Sequence, residues 1–243
     1  TVFGFIVNIT ALRAAPPGAK SLCRRSRSER MDATVPVTDV TAVGPETVAI
    51  EFESPEGFDA QPGQFVKLLA TVDGEDYARF YTLSSPDMAG TFEITVEIDP
   101  EESGPFSDHL ADLTAGDESD MSGPFGAEYY EGEARVVVLA GGPGVGPAVG
   151  IGERAHEDGN AVHLVYRATD PVHEPRLSAL DSAGATVTIT DDDGFAAAVD
   201  EALTTNDDEQ VFVYGFAAFV TAATDAIDAA GGDPDAAKIE NFG

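Results

Sequence analysis

A cation, an aromatic ring and a hydroxyl stand close together in the segment Arg79-Phe-Tyr-Thr-Leu-Ser-Ser85. Side chains alternate along a strand, so Arg79 and Tyr81 would share one face, and Thr82 would lie on the other unless a bend re-aims it. An arginine can donate two parallel hydrogen bonds to phosphate oxygens, which a lysine cannot do. The segment is therefore a candidate anion- and ring-binding site, with an ordinary exposed strand as the alternative interpretation.

A glycine-rich turn follows later in the chain, in Gly141-Gly-Pro-Gly-Val-Gly-Pro147, between an apolar run and a predicted helix. Glycine permits tight turning and a close approach of phosphate to the backbone, and proline suits the first turn of a helix. The spacing differs from G-x-G-x-x-G followed by an acid about twenty residues on. We interpret the turn as a candidate dinucleotide-binding element.

Two further segments offer weaker signals. Ser107, in Gly104-Pro-Phe-Ser107, is predicted to cap a short helix whose N-terminus would attract an anion, although capping alone is the simpler explanation. Tyr214 and Gly215 end a predicted strand, where they would suit the wall of a ligand site or simply mark the strand end. We expect no metal because the histidines lack ligand spacing, and no iron–sulfur cluster because Cys23 is the only cysteine.

The elements that would position these residues fall into two groups. In the first, short runs with alternating apolar residues are separated by turn residues, and several such strands without long helices between them favour an antiparallel Greek-key β-barrel. A predicted boundary at residues 126–134 assigns residues 31–130 to this barrel. The predicted strands are 47–52, 64–69, 79–83 and 91–98, with one short helix near 107–113.

The second group alternates strands with helices. This alternation predicts an α/β doubly wound domain over residues 131–243, with a parallel sheet covered on both faces. Ligands of such sheets bind beyond the carboxyl ends of the strands, where the strand order reverses. The predicted strands are 135–140, 162–166, 186–190, 211–214 and 238–241, and the predicted helices are 145–157, 174–181, 195–203 and 217–230.

Charge limits the remaining possibilities. The chain has 13 basic and 44 acidic residues and a net charge of −31, yet it is 43% hydrophobic. At about 1 M salt the Debye length is about 3 Å, so concentrated salt would relieve the self-repulsion of so acidic a fold. We therefore expect a protein adapted to a salt-saturated cytoplasm, as in extreme halophiles. Nucleic-acid binding is disfavoured because phosphate contacts need a basic face, and no apolar run is long enough to span a membrane.

Residues 1–30 contrast with the rest because they are apolar first and basic afterwards. That order is the reverse of a secretory signal. We interpret the segment as an unstructured or wrongly assigned leader ahead of Met31, with a targeting role as the alternative.

Three motifs, in their order, resemble those of the ferredoxin–NADP reductase superfamily: Arg79-Phe-Tyr-Thr82, Gly123-Pro-Phe-Gly126 and Ala140-Gly-Gly-Pro-Gly-Val-Gly-Pro147. The resemblance covers residues 35–243 and implies a flavin-binding barrel followed by a nicotinamide-binding domain. It implies that Arg79 holds the FAD pyrophosphate, that Tyr81 packs on the isoalloxazine and that Thr82 lies near flavin N5. It also implies cofactor contacts for Leu83, Ser84, Gly104, Ser107, Gly141, Gly142, Gly144, Tyr214, Gly215 and Phe242.

The chain departs from the superfamily in one motif, since many members have Cys-Gly-Pro where this chain has Tyr214-Gly-Phe216. That departure concerns the detailed nicotinamide pocket. Arg167, after the second parallel strand, would attract the 2′-phosphate of NADPH, whereas Asp170 would repel it. NADH and NADPH therefore both stay open, with NADH as the preferred alternative.

The function implied by the resemblance is a cytoplasmic FAD-dependent NAD(P)H oxidoreductase with Tyr81 and Thr82 as catalytic residues. Hydride would pass between NAD(P)H and the flavin. Electrons would then pass to an external acceptor such as a ferredoxin, a flavodoxin-like carrier, an oxygenase component or free flavin. The alternatives are a free-flavin reductase, an electron-transfer subunit of a larger dehydrogenase or oxygenase complex, and a nucleotide-binding regulatory module without redox chemistry.

Overall fold

The computed structural model describes residues 30–98 and 104–243, so the predicted leader lies outside the described residues except for Arg30. The first part of the chain forms six strands and one helix, which we call the antiparallel unit. They are β1 (Met31–Gly44), β2 (Thr47–Glu53), β3 (Phe65–Val72), β4 (Glu75–Thr82), β5 (Thr91–Glu97), α1 (Pro105–Ala111) and β6 (Glu118–Phe125).

The six strands form one antiparallel sheet in the order β4-β3-β6-β1-β2-β5. A bridge between Leu83, just after β4, and Ile94 of β5 connects the two edges, so the sheet curls towards closure. Its inner face is apolar, with Phe52 and Phe92 stacked at 5.2 Å between ring centroids and Leu68 fully buried. This arrangement confirms the predicted antiparallel barrel, because alternating strands bury one face and expose the other.

The rest of the chain alternates strands with helices, and we call it the parallel unit. Its elements are β7 (Arg135–Gly141), α2 (Val145–Glu157), β8 (Ala161–Arg167), α3 (Glu174–Ala183), β9 (Thr186–Thr190), α4 (Asp192–Ala202), β10 (Glu209–Gly215), α5 (Ala217–Ala229) and β11 (Lys238–Asn241).

The parallel sheet has the order β11-β10-β7-β8-β9, as the predicted doubly wound domain requires. Alternate residues of β7 enter two separate cores: Val136 and Val138 pack with α2 and α3, and Val137 and Leu139 pack with α4 and α5. Burial on both faces explains why the strand reads as a continuous apolar run. The strand order reverses between β7 and β10, so the carboxyl ends of these strands are where a ligand is expected.

Most predicted elements are confirmed, and helix α2 has the predicted bounds. Strand β4 begins at Glu75 instead of residue 79, because Asp73 and Gly74, both with positive φ, close a tight hairpin from β3. The sequence analysis did not separate β1 and β6, whose polar residues obscure the alternation. Within the described ranges, no helix is long and apolar enough to cross a membrane, and no cluster of His, Cys, Asp or Glu is arranged to hold a metal ion.

Candidate functional site

Arg79 lies near the end of β4 with an exposed side chain. Its guanidinium donates a 2.9 Å hydrogen bond to the carbonyl of Ala78 and lies 6.0 Å from the centre of the Tyr77 ring. Across the described ranges it forms no ion pair with a carboxylate, although acidic residues outnumber basic ones in the chain. The side chain therefore keeps most of its donors for an anion.

Tyr81 provides a partly buried aromatic surface on the same strand. Its ring is stacked at 6.4 Å from the ring of Phe106 in α1, and the Phe106 ring is also stacked with Tyr77 at 6.3 Å. Burial raises the pKa of the Tyr81 hydroxyl despite the nearby Arg79, so the phenol stays neutral. A neutral ring supported by Phe106 is suited to packing against a flat heterocycle.

Thr82 is buried at the end of β4, and its hydroxyl lies close enough to Glu240 of β11 to lower the pKa of that carboxyl group. Burial raises the pKa of Glu240 to about 7, and the Thr82 hydroxyl only partly offsets this effect. The contact brings the antiparallel unit and the last strand of the parallel unit together at one point. Sequence reasoning did not select Glu240, because nothing in a four-residue strand marks a carboxylate that will face a remote threonine.

The resemblance implies cofactor contacts for Leu83 and Ser84, and the structure buries the side chains of both residues. Both are fully buried, and their N–H groups donate to the carbonyls of Gln64 and Glu93. The Ser84 hydroxyl lies 2.8 Å from that of Thr95, which in turn lies 2.8 Å from Nε2 of the buried His173. These residues join the two units, and sequence reasoning missed this polar chain.

Helix α1 begins three residues earlier than a cap at Ser107 would require. Gly104 is the N-cap and Pro105 the first helical residue, so Ser107 falls inside the first turn and makes no capping hydrogen bond. The prediction that Ser107 is the cap was therefore wrong, because the fixed φ of proline favours the first helical position. A side chain at Gly104 would meet nothing within 4 Å, so the backbone here faces open space.

The glycine-rich turn contains one 3₁₀ turn over Gly142–Gly144 before α2. A Cβ at Gly141 would lie 2.5 Å from the Phe219 ring, and one at Gly144 would collide with the Tyr214 carbonyl. Packing inside the protein therefore requires both glycines. Gly142 differs, because its φ is +55° and its nearest neighbours, Glu97 and Phe216, are about 4 Å away. Any close approach of a dinucleotide is expected at Gly142 and through the backbone of the other two.

Phe216, which directly follows β10, is an exposed aromatic side chain at this edge of the parallel sheet. Tyr214 is fully buried and its hydroxyl lies 3.5 Å from the carbonyl of Glu128, so its side chain does not form the predicted wall. Gly215 packs against Phe219. Phe216 is 46% exposed and meets Phe242 edge-on at 6.1 Å, which puts Phe242 beside the turn containing Gly142.

Arg176 of α3 connects the two units. Its guanidinium donates to both carboxylate oxygens of Glu153 at 2.8 and 2.6 Å, to Glu93 at 2.8 Å and to the Ser84 carbonyl at 2.7 Å. Helix α2 adds a close contact, because a Cβ at Gly146 would lie 2.5 Å from the Ser84 hydroxyl. The segment that follows β4 is therefore held against α2 and α3 by polar contacts, and we call the boundary between the two units at this point the cleft.

Comparison with known proteins agrees with this arrangement. Residues 34–130 match the family described as the oxidoreductase FAD-binding domain. The probable dihydroorotate dehydrogenase B (NAD(+)) electron transfer subunit of Methanopyrus kandleri is 33% identical over 134 residues, which are 55% of this chain and 48% of that protein. NADH-cytochrome b5 reductase 1 of Laccaria bicolor is 28% identical over 157 residues, 60% of this chain and 50% of that protein. The chain thus spans about half the length of these curated relatives.

Solved structures share the whole two-unit arrangement. The Amycolatopsis cytochrome P450 reductase GcoB superimposes with a TM-score of 0.74 at 20% identity, covering 90% of this chain and 72% of that one. The FAD/NAD-binding domain of Vibrio cholerae nitric oxide dioxygenase superimposes with a TM-score of 0.73 at 19% identity, covering 86% and 98%. At such identities the likeness is one of fold.

Proposed function

We propose that this chain, whose residues 34–130 match the oxidoreductase FAD-binding domain, is a FAD-dependent NAD(P)H oxidoreductase of the ferredoxin–NADP reductase superfamily. The observation that carries the proposal is the cleft itself. There, a Cβ at Gly142 would lie about 4 Å from Glu97, and Gly146 packs against Ser84, two residues after Thr82. We assign Arg79, Tyr81 and Thr82 to the flavin side of this boundary.

The residues present fit a flavin dinucleotide. The guanidinium of Arg79 has donors for a pyrophosphate, and the backbone at Gly104 faces open space at the start of a helix. Tyr81 offers a neutral ring for the isoalloxazine. The open backbone at Gly142 fits the second dinucleotide, the nicotinamide nucleotide, at the carboxyl edge of the parallel sheet.

The chemistry supplied by a bound flavin is acceptance of hydride from the nicotinamide and release of electrons to an acceptor. The protein positions the two ligands and controls charge around them. Arg79 balances phosphate charge, and Tyr81 holds the plane of the ring. Phe216 and Phe242 cover the turn side of the cleft with apolar surface, which excludes water.

Glu240 controls charge where Thr82 meets the cleft. With a pKa of about 7, its carboxyl group holds a proton in neutral to acidic solution and loses it above that pH. A bound flavin that accepted a hydride from the nicotinamide would become more negative, and a neutral carboxyl would oppose this less than a carboxylate would. Thr82 lies close to Glu240 and links its protonation state to the end of β4.

The acceptor is proposed to be an external electron carrier, such as a ferredoxin-like protein or an oxygenase component. The similarity to a protein named as an electron transfer subunit favours a second candidate, a subunit that works within a larger dehydrogenase. Little activity in isolation, together with a stable partner in a pull-down, would support the subunit. Weak, non-stoichiometric flavin would instead support a free-flavin reductase.

The test is an absorbance spectrum of the protein purified in multimolar KCl, recorded before and after anaerobic addition of NADH and then NADPH. A stoichiometric flavin band near roughly 450 nm that bleaches with either nucleotide is the expected result. A colourless protein that binds no added FAD and oxidises neither nucleotide would overturn the proposal.

A further inference from the structure

Arg167 is the last residue of β8 and lies at the edge where nucleotides are expected. In the parallel register it pairs with Gly141 of the glycine-rich turn on one side and with Thr190 of β9 on the other. In doubly wound sheets, the strand reached through the first helix is where the ribose of the adenosine half is recognised. An acid there binds a 2′-hydroxyl, whereas a free arginine binds a 2′-phosphate.

The Arg167 guanidinium is already engaged within the protein. Its carbon lies 4.8 Å from the centre of the Phe219 ring and 5.4 Å from that of Phe195. Its Nε lies 3.2 Å from a carboxylate oxygen of Asp192 at the start of α4. The side chain is 23% exposed. Two aromatic faces and one carboxylate therefore direct this cation into the layer between the sheet and α5, away from a phosphate group in solvent.

Carboxylates dominate the rest of this edge. Asp170 follows β8, and Asp191 to Asp193 follow β9, all with exposed side chains. Asp191 is the N-cap of α4 and accepts a hydrogen bond from the N–H of Gly194. Within residues 167–170 and 190–194, one engaged guanidinium faces four acids. A 2′-phosphate, which adds about two negative charges, would be repelled here, whereas a ribose hydroxyl would find acceptors.

We propose that this edge selects NADH over NADPH, with Asp192 withdrawing Arg167 from the nucleotide and the neighbouring aspartates excluding a 2′-phosphate. This selectivity rests on the proposed function. It assigns a specificity-determining role to the contact between Arg167 and Asp192, which links the end of β8 to the start of α4.

The first experiment is calorimetric titration of the purified flavoprotein with NAD⁺ and with NADP⁺ at one KCl concentration, which requires no turnover. NAD⁺ is expected to bind at least about tenfold more tightly. Equal or tighter binding of NADP⁺ would overturn the selectivity and leave the oxidoreductase function standing. Binding of neither nucleotide would overturn the adenosine site together with the nicotinamide part of the proposed function.

Two variants test the residues themselves. Asp192→Asn should improve NADP⁺ binding relative to NAD⁺ by roughly fivefold, because it removes a charge and releases Arg167. The control, Asp228→Asn, removes one exposed charge at the far end of α5 and should leave the ratio unchanged. Arg167→Met preserves the stacked stem, and the ratio should change by less than about threefold. A selective loss of NADP⁺ binding in Arg167→Met, or equal ratios in the two aspartate variants, would contradict the proposal.

Discussion

Arg176 of α3 and Glu93 of β5 form a 2.8 Å ion pair that joins the parallel unit to the antiparallel unit. The same guanidinium holds Glu153 and the carbonyl of Ser84, which follows Thr82 by two residues. Burial raises the pKa of Glu93, an effect that Arg176 opposes. The geometry of the cleft therefore depends on a cation that compensates two partly buried acids.

Replacing Arg176 with methionine should lower the free energy of unfolding by about 2–3 kcal/mol, because two acids lose their partner while retaining about a quarter of their exposure. Flavin reduction should slow as well, since the segment after Thr82 loses an anchor. Urea unfolding at fixed KCl measures the first effect. The control is Arg154→Met, whose exposed pair with Asp158 should contribute less than about 1 kcal/mol. Equal losses in the two variants would contradict the bridging role.

Gly146→Ala should push α2 away from the antiparallel unit. The added Cβ would collide with the Thr95 hydroxyl and lie 2.5 Å from that of Ser84. We expect a loss of about 1–3 kcal/mol and slower reduction by NADH, as overpacking of a close contact requires. The control on the same helix is Gly152→Ala, whose nearest neighbour is a flexible Leu180 methyl at 3.2 Å. A stable, fully active Gly146→Ala protein would show that the close contact is dispensable.

Reduction of the flavin should slow as the pH rises through about 7, because Glu240 then becomes a carboxylate beside the reacting centre. Glu240→Gln should abolish this inflection, since the amide stays neutral. Stopped-flow reduction by NADH over pH 5.5–9 measures the effect. An unchanged inflection in Glu240→Gln would remove this residue from the proton chemistry.

Thr82→Ala should retain FAD, but the bound flavin should be reduced roughly fivefold to tenfold more slowly, the size expected for one lost hydrogen bond.

Arg79→Ala should weaken FAD binding by at least about tenfold, because charge-assisted bonds to the pyrophosphate are lost. Flavin fluorescence during titration of the apoprotein gives the dissociation constant. Lys67→Ala is the matched control. Lys67 of β3 pairs with Phe80 of β4, on the other face of the sheet from Arg79, so the substitution removes one positive charge away from the proposed site. Full retention of FAD by Arg79→Ala would refute the phosphate role of Arg79.

Local sequence patterns determined much of this protein. The apolar pattern of the second half predicted helix α2 over 145–157 and the parallel strands. A helix buried on one face has apolar residues at a regular spacing, and a strand buried on both faces is a continuous apolar run. The segment around Arg79 and the glycine-rich turn stood out by residue type alone. The start of α1 was predicted wrongly because both Ser107 and Pro105 are helix-start signals, and the helix begins at Pro105.

Only the tertiary structure decided which remote residues meet. The Arg176 guanidinium reaches Glu93, 83 positions earlier in the chain, and Glu240 reaches Thr82. The tertiary structure also shows that Gly141 and Gly144 pack closely against Phe219 and Tyr214, whereas Gly142 is exposed. Periodicity records which face of an element is buried but not the element that will cover it. Contacts between two units depend on how they dock, and no local pattern in either unit contains that information.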